Sequence, residues 1–599
     1  MILKMNHALH DLHRTGRQLP PTIACWLAAV LGMAPLATVT AAAAAPDRPH
    51  IILCMTDDQG WGDTGYNGHP ELKTPELDRM AAAGIRFDRF FSAHPMCSPT
   101  RASCLSGRSP TRYLCMTWGH DLPLREVTIA EAVRTAGYAT AHFGKWHVGG
   151  IPHAAGGTGR GVRATFDPKP RHPGNQGFDE WWSAGNHYEI GHEYIYHNGK
   201  QAPPRDGDTS DVLMEVALEW IGKQAKDNKP FLAVIWFPSP HGKHIPTPEY
   251  AALYENCDKN AANYYGELAG VDHAMGTLRR SLRDMNIADN TMLWFCSDNG
   301  GAFPLSTGGL PGRKAQLNEG GTRVPGLLEW PARVKEPFAT TVPACTLDFY
   351  PTVLDLLDIE MPDEAGPIDG ISLLPLIDGA MKTRPKPIPL VNGGQLRVVD
   401  NGYRYQGKKL YRFDEEQKRD VDAGAEHPER LEQFREWEKQ WWKSVKADQK
   451  PYEAGLITKL KGEVRGSAPG VSGKDGPERA FDGSLHTRYC VEGPSVWLEV
   501  KPADGPMFID AYGIMSVKSG PSNGDPQDWT LKGSKDGKNW NVLDQRSGEK
   551  FISRFMLREF RVSDPGEYGH YRLEVTANHG GGKTQFADLY LFENPQKEK

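Results

Sequence analysis

From Arg48 to about Glu360, short apolar runs alternate with stretches whose apolar residues recur at helical spacing. The runs HIILCMT (50–56), YATAHFG (138–144), FLAVIWF (231–237) and MLWFC (292–296) are too short for ordinary helices and rich in β-branched or aromatic residues. Near-continuous apolar runs of this length mark strands buried on both faces, as in a parallel sheet. Between them LDRMAAAGIRF (77–87) and TIAEAVRTAG (128–137) carry helical periodicity. The alternation predicts an α/β domain over 46–385, a mainly parallel sheet sandwiched by helices. Ligand-binding groups in such sheets gather at the carboxyl ends of the strands. Three of the runs end in polar clusters: Asp57 and Asp58, His241, and Asp298 and Asn299.

The pattern then changes twice. Over 386–460 a short strand section, VVDNGYRYQGKKLYRF, precedes a charged helix in which Phe434, Trp437, Trp441 and Trp442 form one packed face, giving a smaller C-terminal α+β subdomain. Over 461–599 brief strands such as VWLEVKP, AYGIMSV and HYRLEVTA are separated by Gly-rich turns, which predicts a separate β-sandwich module with KGEVRGSAPGVSGKDG at or near the linker. Residues 1–45 carry Arg14 and Arg17, an apolar run from Cys25 to Val39 and the small-residue run TAAAAAP, which read as a signal peptide. Export to the periplasm or the extracellular space follows. Pro35 and the shortness of the run argue against a membrane anchor, so no stable membrane insertion is expected after cleavage.

Composition narrows the partners. With 69 Lys and Arg against 75 Asp and Glu, the 599-residue chain has a net charge of −6 and lacks the basic excess of a nucleic-acid binder. Apart from Cys25, the cysteines are Cys54, Cys97, Cys104, Cys115, Cys257, Cys296, Cys345 and Cys490. Their even number permits disulfides, but their spacing fits no disulfide scaffold. Cys54 and Cys296 sit in apolar runs as small buried hydrophobes, and Cys104 and Cys115 read as structural.

Burying adjacent Asp57 and Asp58 without compensation is unfavourable, which points to a divalent cation; the same pair on a surface needs none. Asp298 and Asn299 add one charged and one neutral oxygen donor, a set suited to calcium or magnesium. HFGKWHV places Lys145 and His147 two residues apart on one face of an extended segment, suited to an anionic substrate and proton transfer, or simply a solvated Lys beside a packed His. Prolines bracket His241 and His244 in PSPHGKHIP and can aim an imidazole; a surface pair is the alternative. Arg313, Lys314 and Arg323 lie among glycines as a candidate anion cradle or a basic turn. The Gly- and Pro-rich stretch 153–177 is an exposed loop that either lines a substrate cleft or is a solvated insertion. For Cys97, in HPMCSPTRASCLSGR, disulfide, metal ligand and nucleophile are all open.

The segment from Cys97 to Arg101 with Leu105-Ser106-Gly107-Arg108 resembles the C-x-P-x-R signature of the type I sulfatases, in the alkaline-phosphatase-like superfamily. TDDQGWGD, HFGKWHVG, SPHGKHIPTPEY, FCSDNGG, GRKAQLNEGGTRVP and DGISLLPLI resemble further family segments in family order; Thr100 stands where serine is commoner. The resemblance implies that a formylglycine-generating maturation enzyme oxidises Cys97 to formylglycine (3-oxoalanine), whose hydrate is the nucleophile. It also implies one Ca2+ held by Asp57, Asp58, Asp298 and Asn299 and contacting residue 97. In the implied mechanism Asp298 helps deprotonate the nucleophile while Arg101 and Lys145 hold it. His147 assists sulfate release, and His241 and Lys314 bind sulfate and protonate the leaving alcohol, with His244 as second candidate acid. AFDGSLHTRY and DWTLKGSKDGKNWNVL resemble discoidin-like or galactose-binding-like modules, which implies either carbohydrate binding or a structural appendage, with Asp482 and Thr487 as a second candidate calcium site. The expected function is an exported sulfatase acting on sulfated carbohydrates or glycans. The alternatives are a phosphonate or phosphate ester hydrolase of the same superfamily, and a catalytically inactive glycan-binding protein.

Overall fold

The computed structural model describes residues 48–151, 171–186, 195–361, 366–453, 461–482, 487–517, 522–551 and 557–592. The expected signal peptide lies outside them, as does most of the 153–177 loop.

A ten-stranded sheet organises the first half of the chain. Its strands are β1 (His50–Thr56), β2 (Ile85–Phe87), β3 (Ala139–Lys145), β4 (Glu180–Ala184), β5 (Tyr196–His197), β6 (Lys200–Gln201), β7 (Phe231–Trp236), β8 (Thr291–Ser297), β9 (Gly326–Glu329) and β10 (Phe338–Thr340). They lie in the order β10-β2-β9-β8-β1-β7-β3-β4-β5-β6. The run β8-β1-β7-β3-β4 is parallel throughout. Beyond it, β9 pairs antiparallel with both β8 and β2, and β5 antiparallel with β4, so the sheet is mixed at its edges.

The continuous apolar runs are explained by two separate cores. Ile51, Leu53 and Met55 of β1 point into one, and Ile52 and Cys54 into the other. The first is closed by α1 (Cys97–Ser106), α2 (Ile129–Thr135) and, later in the chain, Phe349–Leu357; it contains Leu105, Val133 and Val353. The second is closed by α3 (Thr209–Lys226) and α4 (Lys259–Asp284) through Leu213, Ile221, Met275 and Leu278. Each fully buried aliphatic side chain contributes about 1.5–3 kcal/mol. Burial on both faces fixes strand register, and thereby where the strand ends fall. None of the eight described cysteines is in a disulfide.

The next section is a five-stranded antiparallel meander, β11 (Ile388–Asn392), β12 (Gln395–Asp400), β13 (Tyr403–Gln406), β14 (Lys409–Asp414) and β15 (Arg419–Asp422), followed by α5 (Pro428–Glu453). Phe434, Trp441 and Val445 of α5 pack on Val398, Tyr405 and Leu410, with Trp437 and Trp442 at the margin, as the helical pattern predicts. Arg108 donates to Glu126 at 2.8 Å and to Asp448 of α5 at 2.9 Å, and Arg112 donates to Asp369 and Asp448.

Past residue 461 the strands form antiparallel sheets of five, three and two strands around their own apolar cluster, including Leu498, Tyr512, Trp529, Leu573 and Leu591. Gly462–Gly466, expected at or near a linker, is already an edge strand paired with Val496–Pro502. Among the described residues no helix is long and apolar enough to cross a membrane.

Glu319 joins the first section to the meander. Wholly buried, it accepts from Arg404 of β13 at 2.5 Å and lies 3.7 Å from Arg397 of β12 and 3.8 Å from Arg323. Burial opposes its charge, but the three guanidiniums outweigh this and hold its carboxyl at about 2, against 4.5 for an ordinary glutamate. A depressed carboxylate stabilises the fold above its unfolded pKa, and that contribution is lost as pH falls through the folded value. Glu319→Gln is expected to cost about 3 kcal/mol at neutral pH. The gap from wild type, read by denaturant unfolding, should narrow as pH falls from about 4.5 towards 2. A gap independent of pH contradicts the assignment.

Candidate active site

The strand ends carry the first polar groups. β1 runs straight into Asp57 and Asp58, and Asp58 has φ +70°, a left-handed conformation that aspartate tolerates better than most residues. The following loop lies backbone against backbone on residues 303–308. A Cβ on Gly60 would stand 2.1 Å from the Ser306 carbonyl oxygen, and one on Gly62 would stand 2.3 Å from the Gly308 nitrogen. Buried Asp63 ties the loop down, accepting from Gly60 N at 2.8 Å and the Tyr264 hydroxyl at 2.6 Å. Next to β1, β8 delivers Asp298 and Asn299. Asp298 N donates to Thr56 O at 3.0 Å, and Asp58 N to Asp298 Oδ1 at 3.2 Å.

The cations arrive from three directions. Cys97 is the first residue of α1, and Arg101, one turn on, is wholly buried. Its Nε and Nη2 donate to Asp298 Oδ2 at 3.0 and 2.8 Å, its Nη1 donates to the Lys145 carbonyl at 3.0 Å, and its guanidinium lies 5.0 Å from the Trp236 ring. Lys145, the last residue of β3, donates to Asp57 Oδ2. Lys314 Nζ stands 2.6 and 2.7 Å from the two oxygens of Asp58. His241 Nε2 is 3.7 Å from Asp58 Oδ2. One ligand atom from each of Asp57, Asp58, Cys97 and His241 falls within 4.8 Å of the others.

Two oxygens in this cluster stand out. Asp57 Oδ1 and Asn299 Oδ1 are buried without a hydrogen-bond partner, although such atoms are rarely left so. The Asp58 carboxylate, which accepts from Asn299 Nδ2, and the Asp298 carboxylate, which accepts from Asp58 N, bring further oxygens beside them, donors of the kind that fits a hard cation such as Ca2+. Burial works against the Asp57 charge, but Lys145, His241, Arg101 and Lys314 hold its carboxyl well below the ordinary range. Burial, reinforced by the Asp57 charge, pushes Asp298 up to about 7. It also pushes the Cys97 thiol up to about 12.

Several expectations are corrected. Lys145 and His147 do not share one face of an extended segment: β3 stops at Lys145, and His147 has φ +55°. Its buried ring still feels Lys145 and Asp57, and neither ring nitrogen has a hydrogen-bond partner. His244 packs edge-on against Tyr264 and Phe303 with centroids 5.0 and 6.1 Å away, turned into an aromatic cluster. The basic cradle does not form. Arg313 is exposed, while Arg323 donates to Glu415 at 2.8 Å and stacks on Trp61, because the chain turns at Ala315 (φ +67°) and the short helix Glu319–Thr322 carries it away. Asp482 accepts from Thr487 at 2.8 Å and lies 3.4 Å from Arg479. Sequence reasoning missed Asp63, Tyr264 and Trp236, which position the loop and Arg101; the glycine spacing of QGWGD was the available signal for the first.

The sequence profile of the Sulfatase family matches residues 49–359, a span that contains every polar residue of this cluster. The chain belongs to the sulfatase family. It is a sulfuric ester hydrolase. The chain is 30% identical to the N-acetylgalactosamine-6-sulfatase of Canis lupus familiaris over 398 residues, covering 60% of this sulfatase and 72% of that one. It is 31% identical to the ulvan-active sulfatase of Formosa agariphila over 363 residues, 55% of this chain and 65% of the other. The crystal structure of Ps i-CgsB in complex with k-i-k-neocarrahexaose superposes with a TM-score of 0.59 at 26% identity, covering 66% of this chain and 93% of that one.

The two kinds of cation in the sulfatase site differ in what they hold up. Removing Arg101 leaves Asp298 buried and unpaired, so Arg101→Ala is expected to cost about 3–5 kcal/mol. Lys314, whose side chain is 23% exposed, is screened, and Lys314→Ala should cost about 1 kcal/mol or less. Denaturant unfolding compares the two; equal losses contradict the assignment.

Proposed function

We propose that this sulfatase is exported and hydrolyses sulfate esters on sulfated carbohydrates or glycans, using Cys97 in its oxidised form together with a bound calcium ion. The observation that carries the reading is the convergence of Asp57, Asp58, Asp298 and Asn299 with Cys97 and with Arg101, Lys145, His241 and Lys314, from six separate segments. The relatives support the substrate class: one is an N-acetylgalactosamine-6-sulfatase, one an ulvan-active sulfatase, and one was crystallised with a neocarrahexaose.

Asp57, Asp58, Asp298 and Asn299, with residue 97, would hold Ca2+, which supplies Lewis-acid neutralisation of sulfate charge. Converted to formylglycine by a maturation enzyme, residue 97 supplies a hydrated aldehyde as an oxygen nucleophile. The chain's own groups do the rest. Arg101 and Lys145 fix residue 97 from below, and Asp298 takes up its proton at a carboxylate oxygen. Lys314 Nζ binds a sulfate oxygen, and His241 Nε2 gives a proton to the departing alcohol. Burial lowers the His241 pKa, so the incoming sulfate charge is what favours the protonated imidazole. His147, with no partner on either ring nitrogen, accepts a proton as sulfate is released.

In this reading residues 1–45 are the signal peptide, 46–385 the catalytic domain, 386–460 its C-terminal subdomain, and 461–599 a discoidin-like module that binds carbohydrate.

Active protein purified from a host with the maturation enzyme should yield a residue-97 peptide carrying an aldehyde in place of the thiol. It should also release sulfate, and not phosphate, from sulfated sugars. Active protein with an intact Cys97 thiol, or preferential phosphate release, contradicts the reading.

A further inference from the structure

A second polar cleft opens beside the loop that carries Asp57 and Asp58. It has a volume of about 710 Å³ and is lined by Trp61, Arg86, Arg89, Arg323, Phe413 and Glu415 among others. Its floor is short of negative charge. Arg323 and Arg89 are 3% and 8% exposed, and their shared counter-ion in the cleft is Glu415, at 2.8 Å from Arg323 and 3.9 Å from Arg89. The Glu415 side chain is 52% exposed, so half of it already faces water. Glu319, beneath, adds one further negative charge, but it is shared among Arg404, Arg323 and Arg397, of which Arg397 also has Asp420 at 2.9 Å.

The arginines show the strain of this arrangement. Arg89 donates to the carbonyls of Asn401 and Thr341, yet its buried Nε has no acceptor. Burial, followed by the like charge of Arg404, pulls its pKa down to about 10. Lys418 adds another cation over the Trp61 ring, at 5.8 Å, while the Arg323 guanidinium sits at 4.9 Å. At the rim Arg86 pairs with partly exposed Asp88, at 2.8 Å. A buried donor without an acceptor is costly, and guanidiniums are well matched to the oxygens of sulfate and carboxylate. The volume is that of a small-molecule site rather than of a single ion. Phe413 and Tyr66 supply aromatic surface against which the C–H face of a pyranose can pack.

We propose that this cleft binds an anionic sugar unit, its sulfate or carboxylate seated on Arg86, Arg89 and Arg323 in place of the Glu415 carboxylate. The saccharide part rests on the reading of the enzyme as a glycan sulfatase; the anion chemistry stands on the cleft itself. Trp61 lies three positions beyond Asp58. The cleft and the catalytic cluster therefore share one loop, and a chain held in the cleft adds recognition that a monosaccharide sulfate lacks.

The charges make a signed test. In full-length Cys97→Ala protein, which cannot turn over, binding of a size-defined chondroitin sulfate hexasaccharide is measured by calorimetry at low salt. Arg86→Glu should weaken binding about fivefold and Glu415→Gln should tighten it by a similar factor. Both positions are partly exposed, so both variants should fold, and in the Cys97 background both should release sulfate from a monosaccharide sulfate at the wild-type rate. The desulfated hexasaccharide should show no dependence on either variant. Identical hexasaccharide affinity in parent and both variants overturns the proposal, and complete displacement by millimolar inorganic sulfate overturns its saccharide part. Failure of the glycan reading shows differently, as wild-type enzyme that releases no sulfate from any sulfated oligosaccharide while the two variants still shift affinity in opposite directions.

Discussion

The catalytic half of this sulfatase depends on one electrostatic constraint: three carboxylates, Asp57, Asp58 and Asp298, are buried side by side, and each needs a cation against it. Each has an assigned cation in the structure, Lys145, Lys314 and Arg101 respectively. In a dry interior such pairing is a condition of folding rather than a bonus, since a lone buried charge is far costlier than a paired one is favourable. The pairing works only if the strand ends are placed to within a fraction of an ångström. Burial on both faces of β1, β7, β3 and β8 provides that placement: a slip of one residue would exchange the two cores and pull the acids away from their partners.

The same logic links folding to catalysis. Lys314 neutralises Asp58 in this structure, and in the proposed reading its partly exposed ammonium group is also the one that meets an incoming sulfate. Arg101 is different: sealed beneath Trp236 and bound to both Asp298 and the Lys145 carbonyl, it is a fixed support. The site thus has a rigid floor and an adaptable upper layer, the division expected where charge must be stabilised without being held too tightly beforehand.

Much of this was legible in the chain. Apolar runs ending in DD, PSPH and SDN announced parallel strands with polar carboxyl ends, and the CSPTR signature tied Cys97 to them. Position along the chain misled in the basic segment from Arg313 to Arg323: three neighbouring cations suggested one cradle, but one turn and a short helix send Lys314 to Asp58 and Arg323 to Trp61 and Glu415. His147 was placed in the right neighbourhood by the wrong geometry, because its left-handed backbone leaves no sequence mark on a non-glycine residue. Supporting contacts such as Asp63 with Tyr264, 201 positions apart, depend on tertiary packing that periodicity does not encode.

We propose that the two partnerless oxygens, Asp57 Oδ1 and Asn299 Oδ1, belong to a cation site rather than to a defect in packing. Calorimetric titration of calcium into metal-stripped protein tests it most directly. The account predicts one Ca2+ bound per chain, with affinity reduced at least about tenfold in Asp57→Asn and in Asn299→Leu. Calcium binding of unchanged affinity in both variants, or no binding by the wild-type protein, would contradict it.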